Sequence, residues 1–414
     1  MPWADPLPGG IGSSAAGRHV RVPTAVDAPR RFSIRRPAWI AAAAILVSST
    51  ACAGVAHDGE GARSAGAHAS LMSQPVVFVP NSIDYTGKAD VTNALQSLID
   101  GTDNGTDIVF HKNGKYRVEG TLFVTDKSLT FDGQNATVYA TTHGTLERSL
   151  WWISGGGGIV FRNFTVRGSN PYAGLGTKAY NPAYEKEHGF RIEGVDGIEL
   201  SHVTVTDVYG DFVYIARYAG IPSSNVWIHD SVFRRNGRQG ISLVSVDGVI
   251  IERNTFSDIR RGTIDLEPNG PNQSVTNAFI LNNNVGSGRL LFIASHGKGP
   301  VSGIVISGNK LHQHPLNIDE VPPKGERRQN WIITNNTSDT MSYQRPIRFV
   351  DVDGLLVSGN TQPIAAKVVS VNLVNVCGAQ ITGNTFGAAK VLQQGKTCSA
   401  PIVTPTQPSI PGRS

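Results

Sequence analysis

Six seven-residue segments repeat one pattern along the second half of this chain: GVIIERN (248–254), NAFILNN (277–283), GIVISGN (303–309), NWIITNN (330–336), GLLVSGN (354–360) and GAQITGN (378–384). Each opens on Gly or Asn, is apolar in the middle and closes on Asn. The closing residues, Asn254, Asn283, Asn309, Asn336, Asn360 and Asn384, are 29, 26, 27, 24 and 24 residues apart. A chain that returns to the same motif at that interval can wind into coils of three short strands and three turns, each coil burying its apolar face on the next. Propeller blades repeat more evenly. Stacked in one turn, the Asn side chains can hydrogen-bond along the axis, and Asn also tolerates a left-handed backbone. Upstream, GIVFRNF (158–164), GIELSHV (197–203) and NVWIHDS (225–231) keep the apolar pattern and lose the final Asn. The expected fold is all-β, a single-stranded parallel solenoid.

The first 52 residues contribute six basic and two acidic residues, so the formal net charge of +5 for the whole chain resides largely there and gives no argument for nucleic-acid binding. Arg30, Arg31, Arg35 and Arg36 precede the apolar run Ala38 to Val47, which is followed by small residues up to Cys52. That order reads as an export signal, too short for a membrane span, with Cys52 in the place of a lipid-anchored cysteine. The expected organisation is a leader over 1–52, a flexible linker over 53–75, the solenoid over 76–398 and a disordered Pro/Thr/Ser-rich tail over 399–414, in an extracytoplasmic protein. Cys377 and Cys398 lie about one repeat apart and are either bridged between coils or free. Asp90 is placed to cap a helix with Val91, Ala94, Leu95, Leu98 and Ile99 on one face, which would cover the first coil.

The stretch DVTNALQSLIDGTDNGTDIVFHKNGKYRVEGTLFV (90–124), followed by Gly-x-Ile repeats with Asn at the turn, resembles the pectate-lyase-like superfamily. The resemblance implies a right-handed parallel β-helix with a short N-terminal capping helix. It also implies a cleft on the sheet that precedes each Gly-x-Ile segment. That superfamily includes hydrolases, lyases, epimerases, tailspikes and adhesins, so the fold leaves the reaction open.

On that sheet, alternation aligns Ile241 and Leu243 with Ile264 and Leu266, facing inward, and turns Ser242, Val244, Asp265 and Glu267 outward. Asp265 and Glu267 are the expected catalytic pair, with Cα atoms about 6.5–7 Å apart by strand rise. Two such carboxyls repel, one keeps its proton, and an acid beside a base is what glycosidic hydrolysis needs. His296, one coil on, is a third catalytic candidate. Arg238 and Arg261 are expected to clamp uronate or sulfate groups. Tyr214, Arg217, Lys298, Arg191 and Glu193 complete the expected substrate-binding set, with His188 beside Arg191 and Glu193 at outer subsites. The loop 168–188 stretches one repeat to 39 residues (158 to 197) and brings Tyr172, Tyr180 and Tyr184.

The expected function is cleavage of glycosidic bonds in a polysaccharide, possible acidity of the substrate being left open, with hydrolysis placed ahead of uronate lysis. The alternative is a non-catalytic glycan-binding envelope protein or adhesin. No metal ligand set and no required cofactor are expected; a lyase would give Asp265 and Glu267 a Ca²⁺ to hold. Oligomeric state is open, and membrane contact is expected only through a lipid anchor.

Overall fold

A computed structural model describes residues 74–410 and 413, apart from 343, 345, 388 and 389. The expected leader and export signal, and the linker up to residue 73, lie outside the described residues.

The chain winds into an all-β, right-handed solenoid of about 11 turns. Three parallel sheets run its length. The repeat sheet holds the Gly/Asn-first segments, such as Val246–Glu252, Val275–Leu281 and Val301–Ser307, each paired in register with the next (Ile251 beside Ile280, Ile280 beside Ile306). A second sheet is built from the short strands that follow each closing Asn, such as Thr255–Ser257 and Asn284–Val285. The front sheet holds Leu122–Thr125, Trp151–Ser154, Phe190–Glu193, Val213–Tyr218, Ile241–Leu243, Ile264–Leu266, Ile293–Ser295, Ile318–Glu320, Ile347–Val350, Val371–Val374 and Val391–Gln394. Between the sheets runs one continuous apolar core, whose inward lanes stack like on like. Phe233 and Phe256 stack with centroids 5.1 Å apart, and Trp331 meets Phe349 edge-on at 5.3 Å.

The asparagine ladder forms inside the turn between the first two sheets. Each side-chain Nδ2 donates to the Oδ1 of the next coil's Asn: Asn254 to Asn283 (3.1 Å), Asn283 to Asn309 (2.9 Å), Asn309 to Asn336 (2.8 Å), Asn336 to Asn360 (2.9 Å) and Asn360 to Asn384 (2.9 Å). Each Oδ1 also accepts the backbone N–H of the preceding coil's Asn, and each Nδ2 donates to an Ile or Val carbonyl (Ile251 from Asn283, Ile280 from Asn309). The turn's buried polar groups are thereby satisfied coil by coil. The left-handed residue is not the ladder Asn, as its tolerance for that conformation suggested, but the residue before it: Arg253, Asn282, Gly308, Asn335, Gly359 and Gly383 all have positive φ. The opening Gly or Asn of each repeat is left-handed too, from Gly248 (φ 81°) to Gly378 (φ 63°), which is why those two residue types alternate there.

A helix over Thr92–Gly101 closes the N-terminal end, with Leu95 and Ile99 buried against the first coil. Gln96 accepts from the backbone N–H of Phe123 (2.8 Å) and donates to its carbonyl (3.0 Å), covering the edge of the front sheet. Two expectations fail in detail. The helix starts one residue later than an Asp90 cap places it, although Asp90 does accept the helix's first N–H, that of Thr92 (3.0 Å), and Ala94 is exposed because only two rows of the short helix reach the coil.

At the other end, Cys377 and Cys398 form a disulfide. The residues after it, read from sequence as a loose tail, run back along the repeat sheet. Ala400 and Pro401 sit against Gly378 and Gly354, Pro405 against Gly303 and Pro408 against Gly248. Ile410 packs on the outward cluster of Trp227, Ile250 and Phe279. Arg413 closes the run with two bonds to Glu252 (3.0 and 3.1 Å). The opening residue is glycine in four of the six repeats (Gly248, Gly303, Gly354 and Gly378), and an irregular Pro-rich segment lies against those glycines.

Candidate active site

The front sheet's outward lane reads Phe123, Trp152, Arg191, Tyr214, Ser242, Asp265, Ala294, Asp319, Arg348, Asn372 from coil to coil. Side chains in that lane stand about 4.8 Å apart along the axis. Halfway along it the lane becomes densely polar.

Asp265 points away from the core, in register with Ser242 and Tyr214, yet only 6% of it is exposed. It accepts a hydrogen bond from Gln239 Nε2 (2.6 Å). Burial, helped by the charge of Glu267, pushes its carboxyl well above the usual carboxylate range. Glu267, two residues on and on the same face, is partly exposed and paired with Arg238 (3.2 Å). Arg238 also binds Asp211, at 2.7 Å, and approaches Glu185 at 3.8 Å. Asp211 is fully buried, and burial, opposed by Arg238, pushes its carboxyl up to about 6. Its other oxygen accepts the backbone N–H of Gln239 (2.9 Å). Gln239 therefore ties the two buried carboxyls together, and its own Oε1 is fixed by the N–H of Gly262 (2.6 Å).

His188 lies one coil before, its ring stacked on Tyr214 with centroids 4.9 Å apart. Its Nδ1 accepts the N–H of Asp211 (3.0 Å), and burial, reinforced by Arg238, holds its pKa well below the ordinary value. The ring is neutral, so its 3.7 Å approach to the Asp211 carboxylate is not an ion pair. Burial also lifts the Tyr214 hydroxyl to about 12, which keeps it protonated as a donor.

The loop 168–188 folds onto this cluster. Tyr180 donates to Glu185 (2.6 Å), Arg261 lies over the Tyr180 ring (5.1 Å), and Glu185 faces Arg238. Tyr184 stacks on His143 (4.2 Å) and approaches Tyr209 (5.1 Å). Tyr172 is exposed, with Lys178 over its ring (5.6 Å).

The structure brings together Asp265, Glu267, Arg238, Arg261 and Tyr214 among the residues expected from sequence. Arg191 and Glu193 pair with each other at 2.9 Å further up the lane, where Trp152 donates to Glu193 (3.0 Å). His296 stands exposed on the far side, bonded to Asp319 (3.0 Å), which Arg348 also meets at 3.4 Å; Lys298 is exposed beside it. Arg217 leaves the lane: its guanidinium donates to the Asn272 carbonyl (2.7 Å) and ties two turns together. Arg238 and Arg261 do not form the expected clamp, because one is enclosed by carboxylates and the other stacked on Tyr180. Ser242 and Val244 lie outside the core cluster, as alternation requires, but both are wholly covered.

Asp211 and Gln239 were missed, and His188, expected at an outer subsite, lies instead against Asp211 and Tyr214. Asp211 and Gln239 precede their strands by two residues, where alternation no longer fixes a direction, and only the stacking of Arg238 against Asp211 reveals them. The sequence signal was present as an acid at the start of DFVYIAR (211–217) one coil before an Arg.

The pair that a lyase would offer to Ca²⁺, Asp265 and Glu267, is already engaged, Asp265 by the Gln239 amide (2.6 Å) and Glu267 by the Arg238 guanidinium (3.2 Å). Among the described residues the acids here do not converge as a ligand set, and the one close grouping, Asp353 with Cys377 and Cys398, has its sulfurs joined in the disulfide. The residues present do not fit a Ca²⁺ site.

A family described as "Right handed beta helix region" matches residues 152–338. The solved structures similar to this one include an endo-xylogalacturonan hydrolase from Aspergillus tubingensis, with a TM-score of 0.58 and 15% identity, covering 79% of this chain and 99% of that one. The chain has a right-handed parallel β-helix fold. The Streptococcus pneumoniae surface protein and adhesin PfbA shares the β-helix at a TM-score of 0.50 and 14% identity, over 77% of this chain and 100% of that one. So does the tailspike of Escherichia coli bacteriophage HK620, solved with a pentasaccharide, at 0.50 and 11% over 77% and 64%. No curated protein matches the sequence. At such identities the likeness is one of β-helix architecture, and the reaction has to be argued from the side chains.

Proposed function

We propose that this β-helix hydrolyses glycosidic bonds in a polysaccharide laid along the front sheet. The observation that carries the reading is the Asp265–Glu267 pair. One carboxyl is buried, hydrogen-bonded and shifted toward its protonated form; the other is exposed and paired with Arg238. Asp265 is then the proton donor to the leaving oxygen. Glu267 accepts the proton of the attacking water, and Asp211 with Arg238 sets the field around both. An exported location fits such a substrate, and intact mass of the mature protein tests it by showing whether residues 1–52 are removed and Cys52 is acylated.

A second reading, a glycan-binding protein without turnover, is favoured by one feature: Asp265 is almost fully covered, so a donor role requires the Gln239 side chain to move aside. A panel of polysaccharides read for new reducing ends and for unsaturated-product absorbance separates the readings. Reducing ends without absorbance mean hydrolysis, lost in the Asp265→Asn/Glu267→Gln variant. Both signals mean lysis. Binding without either signal means the second reading, and full activity in the double variant removes the assigned pair.

A further inference from the structure

The front sheet also carries information about the charge of the polymer it takes. On this face Arg191 is bound by Glu193 (2.9 Å) and Glu147 (3.6 Å), Arg238 by Asp211, Glu267 and Glu185, and Arg348 by Asp319. Three guanidinium groups are answered by six carboxylates before any ligand arrives. A uronate or sulfate would have to displace a carboxylate already held by these guanidinium groups. The other cations here are engaged as well, Lys186 by Glu147 (2.7 Å) and Arg261 over the Tyr180 ring, which leaves Lys298, exposed at the turn after Ile293–Ser295, as a single open charge.

The N-terminal side of the lane is different. Phe123 is 44% exposed and its ring lies 5.6 Å from that of Trp152. Trp152 is held from two sides, its Nε1 donating to Glu193 and its far face covered by the Arg191 guanidinium at 3.7 Å. The two rings are thereby fixed in one orientation, on the lane that leads through Arg191, Tyr214 and Ser242 to Asp265. Trp152 is four strands from Asp265, about 19 Å along the axis. Fixed aromatic surface without a free cation suits the C–H faces of uncharged sugar rings.

We infer that the glycan bound by this face is uncharged, and that its rings pack along Phe123 and Trp152 on the N-terminal side of the Asp265–Glu267 pair. The inference rests on the polysaccharide reading and narrows it to one substrate class. The test uses the full chain with soluble xyloglucan, mixed-linkage glucan and galactomannan as neutral probes, and polygalacturonate and alginate as acidic ones. Binding is measured by affinity electrophoresis and calorimetry at low and high salt, alongside reducing-end release. The expected result is binding of a neutral polymer, little changed by salt, and weakened roughly tenfold by Trp152→Ala and by Phe123→Ala. Phe123→Ala carries the test if the Trp152 variant fails to fold, because that side chain is half in solvent. Salt-sensitive binding or cleavage of an acidic polymer in preference to all neutral ones overturns the inference and leaves the polysaccharide reading standing. Neutral binding that both variants leave unchanged overturns the aromatic platform. Binding to none of the five overturns the inference together with the reading beneath it.

Discussion

Inside the solenoid, Glu320 and Arg328 occupy positions where the stack otherwise holds aliphatic and aromatic side chains. Glu320 lies in register with Phe349 on the front sheet, and Arg328 with Val352 on the repeat sheet. Both are buried, 3.4 Å apart, and Arg328 also donates to the carbonyls of Gly297 (2.6 Å) and Gly299. Those glycines belong to the turn that carries His296 and Lys298. A buried pair of this kind is weak evidence for stability, because an apolar pair of similar volume is often neutral or better by about 1–4 kcal/mol. Glu320→Leu combined with Arg328→Met should gain on that account and lose about 1–3 kcal/mol for each glycine carbonyl left without a donor. On central values, about 2.5 kcal/mol gained against about 4 kcal/mol lost over the two carbonyls, the double variant should lose about 1–2 kcal/mol. Arg328→Met alone strands the protonated Glu320 and both glycine carbonyls without their partner, at about 1–3 kcal/mol for each, with nothing gained in return. Burial, opposed by Arg328, pushes Glu320 up to about 8. The folded protein then holds a proton that the unfolded chain releases near its ordinary 4.5. The wild type should lose stability as pH rises between those values, and the double variant should not. Urea unfolding at pH 5 and pH 8 measures both effects. Hydrogen exchange at the Lys298 and Gly299 amides, which donate to Pro268 at 2.5 and 2.9 Å, reports on the turn. Exchange there should quicken in the double variant even where global stability is kept. A double variant as unstable as the sum of its singles, or one whose turn amides are unchanged, would refute the view that the pair holds the turn rather than the fold.

Asn309→Ala, deep in the ladder, orphans donors and acceptors on both neighbours and should cost about 3 kcal/mol or more in urea unfolding, whereas Asn384→Ala at the half-exposed end should cost about 1 kcal/mol. If Asp265 is the proton donor, kcat/KM on a cleaved polymer should fall as pH rises through its elevated pKa, and Asp265→Asn should leave a residual rate without that alkaline limb. Deleting the residues after Cys398 should uncover Trp227, Ile250 and Phe279, seen as a lower Tm and as added self-association in light scattering; an unchanged Tm and scattering mass would show that the C-terminal run contributes nothing to covering them. Arg413→Ala should cost no more than about 1 kcal/mol, being a partly exposed pair.

The coil was readable because its cause is periodic. The Gly/Asn-first, Asn-last segments state where backbone must be left-handed and where an amide must stack, and those requirements recur at every turn. Asp265 and Glu267 were readable for the same reason: Ile264 and Leu266 face inward, so their neighbours cannot. What alternation did not supply was anything at a strand's margin. Asp211 and His188 sit before their strands, Arg217 past the paired core of its own, and there the direction of a side chain is set by contacts with other coils. The clamp expected of Arg238 failed on the same ground, since its partners Asp211 and Glu267 lie 27 and 29 residues away in sequence and one coil away in space.

The coils that break the inward pattern are not scattered. Ser295, Glu320 and Arg328 replace apolar core residues within two successive coils, directly after the coil that carries Asp265 and Glu267. Elsewhere in the solenoid the same lanes hold Leu243, Leu266, Phe349 and Leu373, and the same winding is satisfied without interior charge. A polar interior weakens a stack whose stability depends on each coil burying its neighbour. Its cost is intelligible where it fixes something outside, and Arg328 does so by reaching through to the carbonyls of the turn beneath His296 and Lys298. Local departures from the folding pattern, inward at Glu320 and outward at Asp265, thus mark the same stretch of the front sheet from two sides. The outward departure supplies the candidate chemistry, and the inward one holds the turn that borders it.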